Sequence, residues 1–97
     1  MNPLQSRAFV ATDVPGRYIG RLCRHFAHNI PVSFDERQGR IQFDSGLSLL
    51  QAESGGLNLR VEAVDRDSLE RLQHVVASHF ERFAWQEALS LEWQTPD

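Results

Sequence analysis

The sequence contains a single cysteine, Cys23, and lacks any long apolar run. One cysteine cannot form a disulfide within the chain, so the fold does not require an oxidising compartment. No window approaches the roughly 18 apolar residues of a membrane span, and the N-terminal residues have neither the basic nor the apolar region of a signal peptide. These absences predict a cytoplasmic protein without membrane association.

The signature motifs of common enzyme classes are also missing. The chain has no glycine-rich nucleotide-binding fingerprint, no G-x-S-x-G elbow and no H-E-x-x-H zinc motif. Its carboxylates fall mainly at the ends of predicted strands and in loops, and the sequence pairs no two of them for acid–base chemistry. We therefore expect a non-catalytic protein, with no catalytic residue and no cofactor that the sequence requires.

Length and charge narrow the possibilities further. At 97 residues the chain is expected to form one domain, residues 1–97, large enough to bury a core without disulfides. Thirteen acidic residues against ten basic ones give a formal net charge of −3. Proteins that bind nucleic acid through its phosphates carry a clustered basic excess, so we expect no nucleic-acid partner.

The first third of the chain predicts a strand followed by a helix. "RAFVATDV", residues 7–14, is rich in β-branched and aromatic residues and stops at "PG". From residue 17 to 29, Ile19, Leu22, Cys23 and Phe26 recur at helical spacing, and Pro31 ends the segment. Pro15 suits the first helical turn.

The middle of the chain predicts an antiparallel meander. The runs "VSFDE", "GRIQFD", "LSLLQAE" and "LNLRVEA" are separated by "ERQG", "SG" and "SGG", as hairpin strands are. In the last run apolar and polar residues alternate, which predicts a sheet buried on one face only.

A second helix and a last strand complete the predicted order. "DRDSLERLQHVVASHFERFAW" begins with a capping-box pattern in which Asp67 is the N-cap and Glu70 lies three residues on. "LSLEWQ", residues 89–94, alternates like a strand. The sequence thus predicts an α+β two-layer sandwich whose antiparallel sheet carries both helices on one face. This layout resembles half of the TATA-box-binding-protein fold, without implying its function.

The spelling Cys-x-His-x-x-His at residues 23–28 suggests a metal site, but helical geometry opposes it. At about 100° per residue, Cys23 falls on the apolar stripe, whereas His25 and His28 fall on a basic face. Ligands that point apart cannot converge on one ion. This face carries Arg17, Arg21, Arg24, His25 and His28. Three alternatives remain for it: a solvated surface, an anion-binding surface, or a metal site in which His25 and His28 supply two ligands and other residues complete the coordination.

His79 is the more unusual histidine, because it falls within the apolar arc of the second helix. It is either a hydrogen-bonded core residue or a ligand-facing one, with Arg82 and Trp85 as neighbours. If both helices lie side by side, His25 and His79 should meet at their seam, sharing a polar pocket with Tyr18 or Arg82. The alternative is a structural network that fixes helix register.

Nearly the whole chain resembles a bacterial family catalogued as domain of unknown function 2218. The resemblance rests on "GRYIGRLCRHFAHNIPVSFDERQGRIQF", "LQAESGG" and "VVASHFERFAWQEALSLEWQ". Its recurrent positions are Tyr18, Leu22, Cys23, His25, Phe26, His28, Gly39, Phe43, His79, Arg82, Phe83 and Trp93. Similar domains occur joined to siderophore-interacting reductases, so the resemblance implies a link to iron or siderophore metabolism but supplies no catalytic residue.

Two functions are therefore expected from the sequence. The first is a small binding or accessory module for an anionic ligand or a protein partner, with candidate ligand-binding residues Tyr18, Arg21, His25, His28, His79 and Arg82. The alternative is a metal- or haem-binding protein that uses His25, His28 and His79. A homodimer is also predicted, because a lone half of the TATA-binding layout leaves a sheet edge open.

Overall fold

The computed structural model describes residues 3–84 and 91–94. Five strands and two helices follow the order strand, helix, four strands, helix. Their bounds are β1 (Leu4–Ala11), α1 (Pro15–Ala27), β2 (Val32–Phe34), β3 (Gln38–Phe43), β4 (Gly46–Glu53), β5 (Gly56–Ala63) and α2 (Arg66–Phe83). Among the described residues, neither helix has the length and apolar character that crossing a membrane requires.

The strands form one antiparallel sheet with the order β1-β5-β4-β3-β2. Strands β2 to β5 make the predicted meander, and β1 returns to pair with β5 along its whole length, from Leu4 opposite Ala63 to Ala11 opposite Gly56. This pairing explains why β1 begins three residues before the predicted strand. Its end is set by Thr12, whose Oγ1 accepts a hydrogen bond from the Val14 N–H.

Both helices cover the same face of the sheet, as predicted. The inner face contributes alternate residues of β1, β3, β4 and β5 to the core, including the fully buried Ile41, Leu50, Leu59 and Val61, whereas β2 contributes the half-buried Val32. Helix α1 packs over β2, β3 and β4, whereas α2 packs over β5, β1 and β4. Neither α1 nor α2 covers the outer face of the sheet, so the α+β two-layer architecture is confirmed.

The N-cap of α2 is Asp65 and not the predicted Asp67. Asp65 Oδ1 accepts a hydrogen bond of 2.8 Å from the Ser68 N–H, and this bond lowers the pKa of the Asp65 carboxyl. Asp67 instead lies in the first turn, where its charge faces the positive end of the helix dipole. The sequence pattern was misread by two residues because Asp65 and Asp67 both satisfy the N-cap preference.

The predicted terminal strand is only partly described. Leu89 and Ser90 lie outside the described residues, as does Trp85, and residues 91–93 form no regular strand. Gln94 makes one antiparallel bridge to Arg7, with backbone hydrogen bonds of 2.7 and 2.8 Å. This bridge occupies one position on the β1 edge.

Candidate functional site

The seam between α1 and α2 brings two predicted site residues together. The ring centroids of His25 and His79 lie 4.6 Å apart, with an interplanar angle of 41°. Phe26 packs against His79 at 5.0 Å, and Phe83 lies 5.8 Å from His25. We call the pair His25 and His79 the seam histidines.

The half-buried His79 ring is held by its own helix. His79 Nδ1 lies 2.7 Å from the Val75 carbonyl oxygen, one turn earlier in α2. Since a carbonyl oxygen can only accept, Nδ1 carries the proton and donates it. In the neutral ring Nε2 is therefore unprotonated and has a free lone pair.

The electrostatics of the seam disfavour the charged form of His25. Partial desolvation lowers its pKa below the ordinary value of 6.5, and His79, Arg82 and His28 lower it further through charge repulsion. His25 is thus biased toward the neutral imidazole near neutral pH.

The lowered pKa of His25 predicts a measurable titration. In an NMR titration His25 should lose its proton below pH 6.5, and His79→Gln should move the midpoint upward because one repelling neighbour is removed. Since the folded-state pKa is depressed, this group's contribution to stability is present above pH 6.5 and is lost as pH falls through the folded pKa. A His25 titration midpoint at or above pH 6.5 in the unmodified protein would contradict the predicted lowering of its pKa.

The other predicted seam residues are placed differently. Arg82 is exposed and its charge acts on His25, but no hydrogen bond joins it to either seam histidine among the described residues. The Tyr18 ring is buried, at 4% exposure, and packs against Phe80 at 5.3 Å, so it is largely a core residue.

The basic face of α1 is exposed and forms no enclosed site among the described residues. Arg21 and His28 both face solvent. Arg24 lies over the Phe34 ring, with Cζ 5.6 Å from the centroid, and so contributes a cation–π contact at the sheet margin. This arrangement favours the solvated-surface interpretation of the face.

The metal site proposed on His25, His28 and His79 is not assembled. Within residues 3–84 and 91–94, no three histidine, cysteine, aspartate or glutamate side chains are grouped as a metal ion would require. Of the three predicted ligands, His25 and His79 lie close together. Cys23 is fully buried and points away from them, as helical geometry predicted.

A cavity lies on the opposite side of the molecule, on the outer face of the sheet. It measures about 600 Å³, within the usual range for small-molecule sites. Its lining, which we call the sheet cleft, consists of Arg7, Ser33, Phe34, Asp35, Gln38, Gly39, Arg40, Leu49, Leu50, Gln51, Asn58 and Arg60.

Three arginines of the sheet cleft lie in one row across the strands. Arg7 is directly opposite Arg60, Arg60 is opposite Leu49, and Leu49 is opposite Arg40. Directly opposed residues share a face, so all three guanidinium groups stand on the outer side of the sheet. Like charges directly opposite each other destabilise a sheet, and an anion between them would remove that repulsion.

Few carboxylates neutralise this row. Arg60 Nε lies 3.1 Å from Glu62 Oε2 as an ion pair without hydrogen-bond geometry. Elsewhere in the described part of the chain, Arg7 and Arg40 have no ion-pair partner, although Arg40 donates to Gln42 Oε1 at 3.3 Å.

The cleft's own carboxylate is already engaged. Asp35 Oδ1 accepts the backbone N–H groups of Arg37 and Gln38, which lowers the pKa of the Asp35 carboxyl. It therefore stays ionised and poorly suited to general-base chemistry at neutral pH.

Sequence reasoning missed the sheet cleft because its arginines are far apart in the chain. Arg60 alternates with apolar residues in β5, which already marks it as a wet-face residue. Its alignment with Arg7 and Arg40 depends on the register of three strand pairs. A useful signal is that the sequence has ten arginines and no lysine, and arginine is the side chain suited to bidentate binding of carboxylate or phosphate.

Comparisons with known proteins agree on the family and the fold. The family model described as "Uncharacterized protein conserved in bacteria (DUF2218)" matches residues 7–94. The NMR structure of PA4090 from Pseudomonas aeruginosa is 34% identical in sequence, covers 94% of this chain and 95% of its own, and superimposes with a TM-score of 0.78. None of the curated proteins matches the sequence.

Proposed function

The chain belongs to the bacterial DUF2218 family, whose members are described as uncharacterized, and from its own geometry we propose that it is a cytoplasmic, non-catalytic module that binds a small organic anion in the sheet cleft. One observation carries this proposal, namely the cross-strand row of Arg7, Arg60 and Arg40 along a cavity of about 600 Å³. The proposal keeps the anionic ligand expected from the sequence but moves its site from α1 to the sheet.

The chemistry of the cleft suggests the class of ligand. Guanidinium groups bind carboxylates and phosphates with two parallel hydrogen bonds. Leu49 stands between Arg40 and Arg60 in the row and offers an apolar surface for the body of the ligand. Gln38, Gln51 and Asn58 line the cavity with both donors and acceptors. A small molecule with two or more acidic groups and an apolar centre fits this lining.

The proposal predicts anion binding that depends on the arginine row. Citrate and inorganic pyrophosphate are titrated into the protein at low, matched ionic strength, and binding is followed by calorimetry and by amide shifts of the outer-face residues. Arg7→Gln and Arg40→Gln should each weaken binding at least about tenfold, since a hydrogen bond to a charged group contributes about 1.5–3 kcal/mol. Added salt should weaken binding as well.

Arg21→Gln is the matched control, because it removes one exposed arginine from α1 and leaves the sheet unchanged. It should bind the anions like the unmodified protein. If Arg21→Gln loses binding while Arg40→Gln keeps it, the anion site lies on the helix and the sheet-cleft proposal is wrong.

A link to iron or siderophore metabolism is part of this proposal and rests on the family resemblance alone. Ferric citrate is titrated beside iron-free citrate under the same conditions. Tighter binding of the ferric complex, lost in Arg40→Gln, would support the link. Equal binding of the two would leave a general anion site and remove the iron connection.

The homodimer also remains a proposal. Its support is the short edge strand β2, whose outer backbone groups are available to a second chain. Two features weaken the case for dimerisation through a sheet edge. Strand β2 has three residues and can form few hydrogen bonds with a second chain, and the edge of β1 already forms the bridge to Gln94. Sedimentation that shows only monomer at roughly tens of micromolar, a range typical of weak dimers, would remove the proposal.

A further inference from the structure

The seam histidines lie on the helical side of the molecule, away from the sheet cleft, and the proposed anion site does not use them. They come from different helices, His25 from α1 and His79 from α2. The two imidazole rings lie 4.6 Å apart where the helices touch. Three properties of the pair are those of two ligands of one metal ion: the separation of the rings, the tautomer of His79 and the solvent exposure of His25.

The separation suits two ligands of one metal ion. A zinc ion bound to a ring nitrogen at about 2.0–2.1 Å lies roughly 3 Å from the ring centroid. If a nitrogen of each ring points at the same ion, the two lines from the ring centroids to the ion meet at an angle of roughly 90–100°, because the centroids are 4.6 Å apart. This angle lies between those of octahedral and tetrahedral coordination. The separation of the two ring centroids therefore leaves room for one ion bound by both rings.

The tautomer of His79 is already that of a metal ligand. Histidine ligands commonly donate their second ring N–H to a carbonyl or carboxylate, which fixes the ring and leaves the other nitrogen free. His79 makes this bond through Nδ1 to the Val75 carbonyl at 2.7 Å, so Nε2 is the nitrogen available. His25 is exposed, so solvent and ions reach the pair.

We propose that His25 and His79 form an open, two-histidine site for a divalent transition metal such as Zn²⁺ or Ni²⁺, bridging α1 and α2. Imidazole is a preferred ligand for these ions, which distinguishes them from Mg²⁺ and Ca²⁺. Within the described residues no third histidine, cysteine or carboxylate joins the pair, so water or a small anion completes the coordination. This separates the site from the three-histidine site suggested by the sequence.

The neighbouring charges set the strength of the site. Arg82 repels a bare cation, and its charge acts directly on His25. Because its exposed guanidinium is near enough to act on His25, Arg82 can also bind a carboxylate or phosphate that completes the coordination. A metal bound with a carboxylate or phosphate should therefore be held more tightly than the metal alone.

The test uses the full chain without a histidine tag. Zn²⁺ is titrated in a non-chelating buffer at pH 7.5 while the melting temperature is recorded, and Ni²⁺ is used to broaden NMR signals near the site. An ion that bridges the two helices binds the folded state preferentially, so Zn²⁺ should raise the melting temperature in a saturable way. Ni²⁺ should first broaden signals of α1 and α2 around the seam.

Matched variants decide the outcome. His25→Gln and His79→Gln should each weaken Zn²⁺ binding at least about tenfold. Loss of a residue that only hydrogen-bonds to a metal ligand already lowers metal affinity by about this factor, and loss of the ligand itself should cost no less. His28→Gln and His74→Gln keep the same histidine count as those variants and should bind as the unmodified protein does, whereas Arg82→Gln should bind Zn²⁺ more tightly. Equal loss in all four histidine variants, or no saturation below about 1 mM, would overturn the proposal. None of these variants changes a residue that lines the sheet cleft, so the two proposals fail independently.

Discussion

Replacing Phe80 with alanine should lower the free energy of unfolding by about 3–5 kcal/mol. Phe80 is 1% exposed and sits in α2 against the ring of Tyr18 from α1, at 5.3 Å between centroids. Its removal leaves a cavity where the two helices meet above the sheet, and the surrounding side chains can fill only part of it. Urea unfolding followed by circular dichroism measures the loss.

Phe9→Ala is the control for this prediction, because Phe9 lies in β1 and is 55% exposed. It should cost clearly less, about 1 kcal/mol, since only part of the ring is shielded from water. If Phe80→Ala leaves too little folded protein to measure, Phe80→Leu provides a smaller step, with a loss of about 1.5 kcal/mol or less. A Phe80→Ala loss no larger than that of Phe9→Ala would show that Phe80 is not a core residue.

Replacing Gly39 with valine should destabilise the protein by about 3 kcal/mol. Gly39 lies in β3 directly beneath α1, and a Cβ atom there would approach Cys23 Sγ to 2.7 Å and Ile19 Cγ2 to 3.2 Å. Valine favours strands more than glycine does, so a loss cannot be attributed to strand propensity. A loss of stability in Gly39→Val would therefore indicate that the valine side chain pushes α1 away from the sheet.

A double-mutant cycle tests this explanation. Cys23→Ala removes the sulfur that a new Cβ would meet, so Gly39→Ala should cost less in the Cys23→Ala background than in the natural chain. The coupling should fall in the range of about 0.5–3 kcal/mol seen for residues in contact. Strictly additive losses, measured by urea unfolding, would mean that the two positions do not touch.

The fold could be predicted from the sequence to the extent that it depends on local patterns. The helical spacing of Ile19, Leu22, Cys23 and Phe26 and the alternation in β5 both correspond to buried faces in the structure. The start of β1 could not be predicted, because residues 4–6 read as a polar lead and become a strand only through pairing with β5. The single bridge at Gln94 likewise depends on a distant partner, Arg7.

The two candidate sites also differ in whether local sequence patterns predict them. Helical angles were enough to separate Cys23 from His25 and to bring His25 toward His79 once both helices share a face. The sheet cleft needed the register of three strand pairs, which joins Arg7, Arg40 and Arg60 across more than fifty positions of sequence. Tyr18 was expected beside the seam histidines, and its buried ring packs against Phe80 instead.

The burial of Cys23 makes the chain's single thiol a reporter of one motion. Burial raises the pKa of this thiol to about 11, and only an accessible thiolate can attack a disulfide reagent and displace its leaving thiolate. Labelling therefore proceeds only when α1 lifts from β3. When reclosing is faster than labelling, the ratio of the labelling rate to that of an unfolded peptide gives the equilibrium for this opening. The free energy of this opening can then be compared with the free energy of global unfolding. A smaller value for opening means that the helix bearing His25 detaches by itself, and equal values mean that it detaches only when the whole protein unfolds.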